Sequence, residues 1–415
     1  MIATIEIEKL GAKGDGIATI EGKPVYVPFV LPGEIVRIEI GQRRGEGLAA
    51  NLIAIESPSP ERVTPPCRHF GVCGGCAGQH MENHFYRRWK TRLIEEALQR
   101  RGLNDIPMAP LVITPSQARR RASFTAHKTR DGVTLGFHAR ASHRLIDLQE
   151  CPVMLPAIER LLSPLRSLLQ TTIFSATQIV VNATDSGLDV AIQARQPLDL
   201  KRRQLLADFT AAQDLARVSW DGEPVATRRT PLLRLGALTV EVPPAAFLQA
   251  SVEGETAMRE AIAQWTSRAK SLADLYGGIG TLSLPFVPER RVHLVEGDAA
   301  AVAAAMKSAK QPVARSRLTV EQRDLARQPL APDALNKFDA VLFDPPRAGA
   351  AEQAEQLARS DVSVVIAVSC DPATFARDAR RLVDGGYRLE QIVPIDQFLW
   401  SSHIELVAHF TKKPL

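Results

Sequence analysis

From about residue 245 to the C-terminus the chain repeats one pattern: a short apolar run, a turn, then a helical stretch. The runs Ser271–Leu275, Val292–Glu296, Ala340–Phe343 and Val362–Val368 are too short for helices and too apolar for surface strands. Strands of this kind, separated by helices, build a parallel sheet covered on both faces, an α/β architecture.

The preceding residues obey different rules. Thr4–Lys9, Gly16–Ile20, Pro24–Val27, Glu34–Ile40 and Ala49–Ile55 read as short strands. They are punctuated by Gly11, Asp15-Gly16, Pro32-Gly33 and Gly45, as in a small β-barrel. Ser57-Pro-Ser-Pro60 and Pro65-Pro66 stiffen the chain after it. Between Glu82 and Arg101 the residues Phe85, Trp89, Leu93, Ile94 and Leu98 recur at helical spacing, with Arg87, Arg88, Lys90 and Arg92 on the expected polar face. Strands around Ala122–His127, Thr134–His138, Thr177–Asn182 and Leu188–Ala194 then indicate a mixed α/β middle region. At 415 residues each part is long enough to bury its own core, and the expected boundaries are 1–58, 59–242 and 243–415.

The charge is uneven. Residues 1–60 hold 6 Lys/Arg against 8 Asp/Glu, residues 61–150 hold 15 against 8, and residues 151–415 hold 30 against 30. The excess positive charge thus lies in the middle region, as suits contact with a polyanion such as nucleic acid. The first residues alternate apolar and charged types, unlike a secretory signal, and the longest apolar run, Val362 to Val368, is far too short to cross a bilayer. A cytoplasmic protein with no membrane contact is expected, where cysteines more often hold metal than form disulfides.

Four of the five cysteines, Cys67, Cys73, Cys76 and Cys151, are associated with that basic region. The glycines of Cys73-Gly-Gly-Cys76 let the backbone wrap around one centre. Four thiolates suit tetrahedral zinc, and three close cysteines with one distant suit a [4Fe-4S] cluster. His69, His80 and His84 keep zinc open, while the close triple plus the remote fourth favours the cluster.

The remaining motifs all fall at the carboxyl ends of the expected parallel strands, where open α/β sheets bind ligands. Asp274-Leu-Tyr-Gly-Gly-Ile-Gly-Thr281 turns tightly after the first strand. Glu296 closes the next strand, placed for the two hydroxyls of a ribose. With one glycine-rich turn and no pyrophosphate fingerprint, S-adenosylmethionine fits better than a dinucleotide. Asp344 ends another strand before Pro345-Pro346. Val362–Val368 delivers Cys370 to the same edge, ahead of a helix whose N-terminus favours thiolate, with Asp371 as its cap. Glu405, at the head of a final strand Leu406–Phe410, is placed as a base facing the same cleft.

Asp344-Pro-Pro-Arg347, Ser369-Cys-Asp-Pro-Ala-Thr374, His403-Ile-Glu405 and the cysteine spacing together resemble the bacterial RNA (uracil-C5)-methyltransferases, over essentially the whole chain. The resemblance implies a TRAM-type (OB-like) barrel, a central domain carrying a [4Fe-4S] cluster on Cys67, Cys73, Cys76 and Cys151, and a Rossmann-like S-adenosylmethionine domain. It makes Cys370 the nucleophile and Glu405 the base, and lines the cofactor and uracil sites with Gln249, Tyr276, Thr281, Glu296, Asp324 and Asp344. Barrel and cluster together point to 23S rRNA, with a tRNA uridine as the alternative substrate and a monomer as the expected state. Asp371, Gly277 and Phe247-Leu-Gln249 depart from the usual Asn, Cys and Phe-Phe-Gln. An iron–sulfur electron-transfer or radical enzyme is the first rival reading. The second, a zinc-containing RNA-binding protein, leaves Cys370, Asp344 and Glu405 without a task.

Overall fold

The computed structural model describes residues 1–130 and 132–412. The first 57 residues form a six-stranded sheet whose strands alternate buried and exposed positions, putting Val25, Val27, Val36 and Ile38 into one small core with Ile7 and Ala18. The central sheet has seven strands. Its strand Arg121–Lys128 turns Ala122, Phe124 and Ala126 inward and Arg121, Ser123 and Thr125 to the other face, as a period of two requires.

The third sheet carries the apolar runs. Numbering Ser271–Leu275, Arg291–Glu296, Leu318–Gln322, Ala340–Phe343, Val364–Ser369, Arg388–Asp396 and Glu405–Thr411 in chain order, they lie across the sheet as 3-2-1-4-5-7-6. The first five are parallel, and Glu405–Thr411 is inserted antiparallel beside Val364–Ser369. The strand order reverses between Ser271–Leu275 and Ala340–Phe343, and at that switch point the loops part to leave a crevice.

Two departures from the sequence expectation concern the middle region. Val112–Ile113 pairs in parallel with Arg388–Asp396 and becomes the sheet's eighth strand. The helix Asn83–Gln99 packs against Pro372–Asp384, burying Trp89, Leu93, Ile94 and Leu98 in one core with Ala273, Phe343, Phe375 and Phe410. The segment 83–113 therefore belongs physically to the third layer, although it precedes the central sheet in sequence.

Lys90 is not on the polar face. Its side chain is fully buried and its ammonium lies 2.8 Å from Asp396 Oδ1, while the Tyr86 hydroxyl donates to Asp396 Oδ2 at 2.5 Å and accepts from Trp400 N at 2.7 Å. A helix packed over a wide arc buries positions that a single apolar stripe leaves outside, and Asp396, at a strand end, supplies the compensating charge. Lys90→Met is expected to lower the unfolding free energy by about 3–5 kcal/mol, because it strands a buried carboxylate. Urea titration should show that loss, and most of it should return in Lys90→Met/Asp396→Asn. A single variant as stable as wild type would show that the ion pair does not hold this loop.

Candidate active site

The strand Ser271–Leu275 gives way to a turn in which Tyr276, Gly278 and Gly280 take φ values of 59°, 55° and 87°. The two glycines adopt this left-handed backbone without steric cost, which Tyr276 does not. The turn wraps toward Glu296, whose carboxylate accepts from Gly278 N at 2.8 Å, Gly297 N at 2.7 Å and Asp298 N at 2.8 Å. Three backbone donors hold this carboxylate rigidly at the strand end. A Cβ at Gly277 would stand 2.8 Å from Asp274 Oδ2 and from Leu294 Cγ, so a side chain at this position would require those neighbours to shift. Beneath the turn, burial raises the Asp274 carboxyl to about 7.

A cavity of about 710 Å³ opens along this edge. Gln249, Tyr276, Thr281, Glu296, Asp324, Asp344, Cys370 and Glu405 all line it, so every residue expected around cofactor and substrate is gathered in one crevice. Glu296 and Asp324 come from the second and third strands of the sheet, and Asp344, Cys370 and Glu405 from the fourth, fifth and last. The nucleoside end and the reactive end are thereby set by the switch in strand order.

At the reactive end the carboxylates crowd one another. Gln249 Nε2 donates to Asp344 Oδ2 at 3.1 Å, and Gln397 Nε2 donates to Glu405 Oε2 at 2.7 Å and to Gln249 Oε1 at 2.8 Å. Glu405 Oε1 is buried with no hydrogen-bond partner among the described residues. Burial, and then the neighbouring Asp344, hold the Glu405 carboxyl well above the usual range, and burial lifts Asp344 to about 7. The Cys370 thiol is pushed up to about 11, first by burial and then by Glu405 and Asp344, with the Arg347 guanidinium opposing. Strongly shifted groups gathered in one cleft are the pattern of a functional site.

Asp371 does not intrude on the thiol. Its carboxylate is turned onto the next helix, accepting from Ala373 N at 2.9 Å and Thr374 N at 3.2 Å, the geometry of an N-cap. Two residues of the site had no assigned role in the sequence. Arg347 stood within a quoted motif, three residues beyond Asp344 on a proline-stiffened loop, and that spacing was the available signal. Gln397 had none.

The basic triplet Arg119–Arg121 divides as strand geometry requires. Arg119 and Arg121 face the cavity, their guanidinium carbons 5.9 Å from the Phe398 ring centroid and 5.6 Å from that of Phe247. Arg120 points the other way into a buried ion pair with Glu255 and donates to Gln249 O at 3.1 Å. Arg120 and Lys90 thus contribute nothing to the basic surface of the middle region, because each neutralises a buried acid. Arg88 and Arg92 stay on the surface near Glu61 and Glu96, at 3.3 Å each.

Cys67, Cys73, Cys76 and Cys151 line a second cavity of about 510 Å³. Arg119, Arg121, Arg347 and Phe398 line both cavities and form their common wall. Burial pushes Cys76 up to about 12 and Cys151 to about 11, and Cys67 and Cys73 add to both shifts. Among the described residues no three His, Cys, Asp or Glu side chains are grouped closely enough to hold one metal ion.

Comparison with known proteins fits this geometry. Residues 238–413 match the tRNA (uracil-5-)-methyltransferase family, and residues 2–52 match the TRAM domain. An uncharacterized RNA methyltransferase of Brucella suis is 44% identical over 98% of this chain and 97% of its own. The 23S rRNA (uracil(1939)-C(5))-methyltransferase RlmD of Halomonas elongata is 35% identical over 96% of this chain and 87% of its own. The crystal structure of Pyrococcus abyssi tRNA (uracil-54, C5)-methyltransferase in complex with S-adenosyl-L-homocysteine shares the fold. Its TM-score is 0.76 at 22% identity, covering 99% of this chain and 100% of that one. A TRAM barrel, a switch-point crevice holding the family's motifs and full-length relatives at this identity agree: the chain belongs to the RNA (uracil-C5)-methyltransferase family.

Proposed function

We propose that this protein methylates C5 of a uridine in 23S rRNA, using S-adenosylmethionine and a covalent bond to Cys370, as a cytoplasmic monomer. The observation that carries this reading is the meeting of Cys370, Asp344 and Glu405 in one crevice with the glycine-rich turn and Glu296. The kinship with the Halomonas enzyme over nearly the whole chain, TRAM match included, favours 23S rRNA. Among the described residues no helix is long and apolar enough to cross a membrane. We assign residues 1–58 and 59–242 chiefly to RNA and residues 243–415 to the chemistry, with the segment 83–113 serving as part of the catalytic layer's own core and sheet.

S-adenosylmethionine fits the Glu296 end of the crevice: Glu296 is fixed by three backbone donors and keeps acceptor capacity for ribose hydroxyls, and Tyr276, Thr281 and Asp324 line the same volume. When bound, it supplies an electrophilic methyl group. C5 of uracil is too weakly nucleophilic to take that group unaided. Cys370 Sγ, once it has lost its proton, bonds to C6, the C5–C6 double bond opens and its charge spreads onto the C4 carbonyl oxygen, which makes C5 the atom that takes the methyl group as the sulfonium becomes a neutral thioether. After transfer, Glu405 takes the C5 proton, the double bond re-forms and the Cys370–C6 bond breaks, returning the thiolate. Glu405 must be ionised to take this proton, and once ionised its raised proton affinity and its buried Oε1, without a hydrogen-bond partner among the described residues, favour the transfer. The base must leave its stack to reach Cys370, which costs least in unpaired RNA.

Cys67, Cys73, Cys76 and Cys151 fit a [4Fe-4S] cluster. The four thiols line one cavity, three of them close in sequence and the fourth distant, and burial raises the proton affinity of Cys73, Cys76 and Cys151, which a bound cationic centre would offset. Arg119, desolvated beside Cys76 and Cys151, offers the cluster's negative charge a partner. The cluster would fasten sequence-distant segments together, and the methyl transfer itself moves no net electrons.

Mapping 5-methyluridine in rRNA and tRNA of a strain lacking the protein tests the substrate: one 23S position should lose its methyl group. Loss confined to tRNA would replace the 23S assignment, and loss from neither would overturn the activity. Protein purified without oxygen should be brown, with iron and acid-labile sulfide each near about four per chain. Stoichiometric zinc without sulfide would reject the cluster.

A further inference from the structure

Gln397 touches no expected reacting atom, yet it joins the two functional halves of the reactive end. It is 2% exposed. Its Oε1 accepts from the backbone N–H of Ala250 at 2.9 Å, and its Nε2 donates to Gln249 Oε1 at 2.8 Å and to Glu405 Oε2 at 2.7 Å. A side-chain amide can be turned over by half a rotation, exchanging donor and acceptor at little cost unless its partners forbid it. Here the partner at one end is a backbone amide, which cannot turn.

That fixed donor sets a direction along the whole chain of bonds. Because Ala250 N–H requires an acceptor, Gln397 must present Nε2 to Gln249 and Glu405. Because Gln397 presents Nε2, Gln249 must answer with Oε1, and its own Nε2 is left to donate to Asp344 Oδ2 at 3.1 Å. The crevice is therefore lined by a spare N–H of Gln249 next to an Asp344 carboxylate, a donor beside an acceptor. Uracil offers the complement, a carbonyl oxygen beside the N3–H. Cytosine offers an unprotonated N3 where uracil has the N–H, and so places an acceptor against the carboxylate.

We propose that Gln397 is a positioning residue that determines specificity: by locking the Gln249 amide in one orientation it makes the site complementary to uracil and not to cytosine, and by the same donor group it aims Glu405. This deepens, and rests on, the uracil-C5 reading. Gly254 supports the arrangement from behind, since a Cβ there would stand 2.8 Å from Gln397 Cβ, so the side chain is confined between the helix Val252–Trp265 and the crevice.

The test first uses the wild-type enzyme to locate the methylated position in RNA from cells lacking the protein. If no 5-methyluridine forms, the underlying reading fails and Gln397 is not at issue. A synthetic RNA fragment carrying uridine or cytidine at that position is then bound by wild type, Gln397→Met and Gln397→Glu. Methionine keeps the volume and loses every bond; glutamate can accept from Ala250 N–H but has at most one proton to donate, so it cannot serve Gln249 and Glu405 together. Wild type should prefer uridine by on the order of 100-fold, the discrimination a bidentate donor–acceptor pair gives against the wrong base, and both variants should fall to within about 10-fold while binding S-adenosylmethionine as before. A variant that holds S-adenosylmethionine and keeps the full preference overturns the proposal. Should neither variant hold it, the wild-type side chain decides the matter. With nitrogen-15 in its glutamines, the Gln397 amide protons should exchange with deuterium far more slowly than those of surface glutamines, and equally fast exchange overturns the proposal.

Discussion

Cys370→Ser is expected to abolish methyl transfer, lowering kcat by at least about 10⁴-fold while S-adenosylmethionine affinity changes by less than about 2-fold. Cys370 stands at the carboxyl end of Val364–Ser369 on the crevice edge shared with Asp344 and Glu405, away from the Glu296 end, so the substitution removes the attacking atom and spares the nucleoside contacts. A hydroxyl is both a poorer nucleophile and much harder to deprotonate, and here Glu405 and Asp344 already oppose anion formation. Single-turnover methylation and calorimetric cofactor binding measure the two quantities separately. Turnover near that of wild type would remove Cys370 from the mechanism.

Glu405→Gln should act later in the reaction. Addition and methylation proceed, but the C5 proton has no acceptor, so turnover falls by roughly 10²–10⁴-fold and a protein–RNA adduct accumulates, visible as a retarded band on a denaturing gel. Normal turnover without adduct would assign the base elsewhere. The same variant carries a pH signature. The Glu405 carboxyl is held well above its usual range, so the folded chain retains a proton that the unfolded chain has released. Such a group lends stability below the unfolded pKa and loses it as pH rises through the folded value. Glutamine never ionises, so the variant should melt with wild type near about pH 4 and a few degrees above it at higher pH. Identical melting at both would show that Glu405 is not a strained carboxylate.

The crevice was legible because its residues obey local rules. Asp344 and Cys370 follow apolar strands directly, and Glu296 closes one, so the carboxyl edge of a parallel sheet could be inferred for all three from periodicity alone. Gln249, Tyr276, Thr281 and Asp324 came through family resemblance, and the fold brings them to the same cavity. Tertiary pairing hid the rest. Lys90 looked like a surface cation because its partner, Asp396, lies 306 residues away. Arg120 found Glu255 across 135 residues. The strand Arg388–Asp396 carries Glu390, Gln391 and Pro394, which blur the apolar pattern. Gln397 gave no signal because its role is an orientation, which exists only once Ala250, Gln249 and Glu405 are assembled.

The placement of Asn83–Gln99 against Pro372–Asp384 bears on how the chain is born. At about 5–20 residues per second, ribosomal synthesis leaves this helix waiting on the order of 15–60 s for Asp396, 306 residues downstream, and for the rest of its packing surface. For that interval Trp89, Leu93, Ile94 and Leu98 have no core to enter, and the Lys90 ammonium, later the most deeply enclosed cation of the fold, is still hydrated and keeps the unfinished face soluble. A C-terminal fragment starting at residue 243 can never end that wait, since it lacks both the helix and the edge strand. Production of the catalytic layer therefore calls for the whole chain, or for the segment 83–113 supplied alongside it.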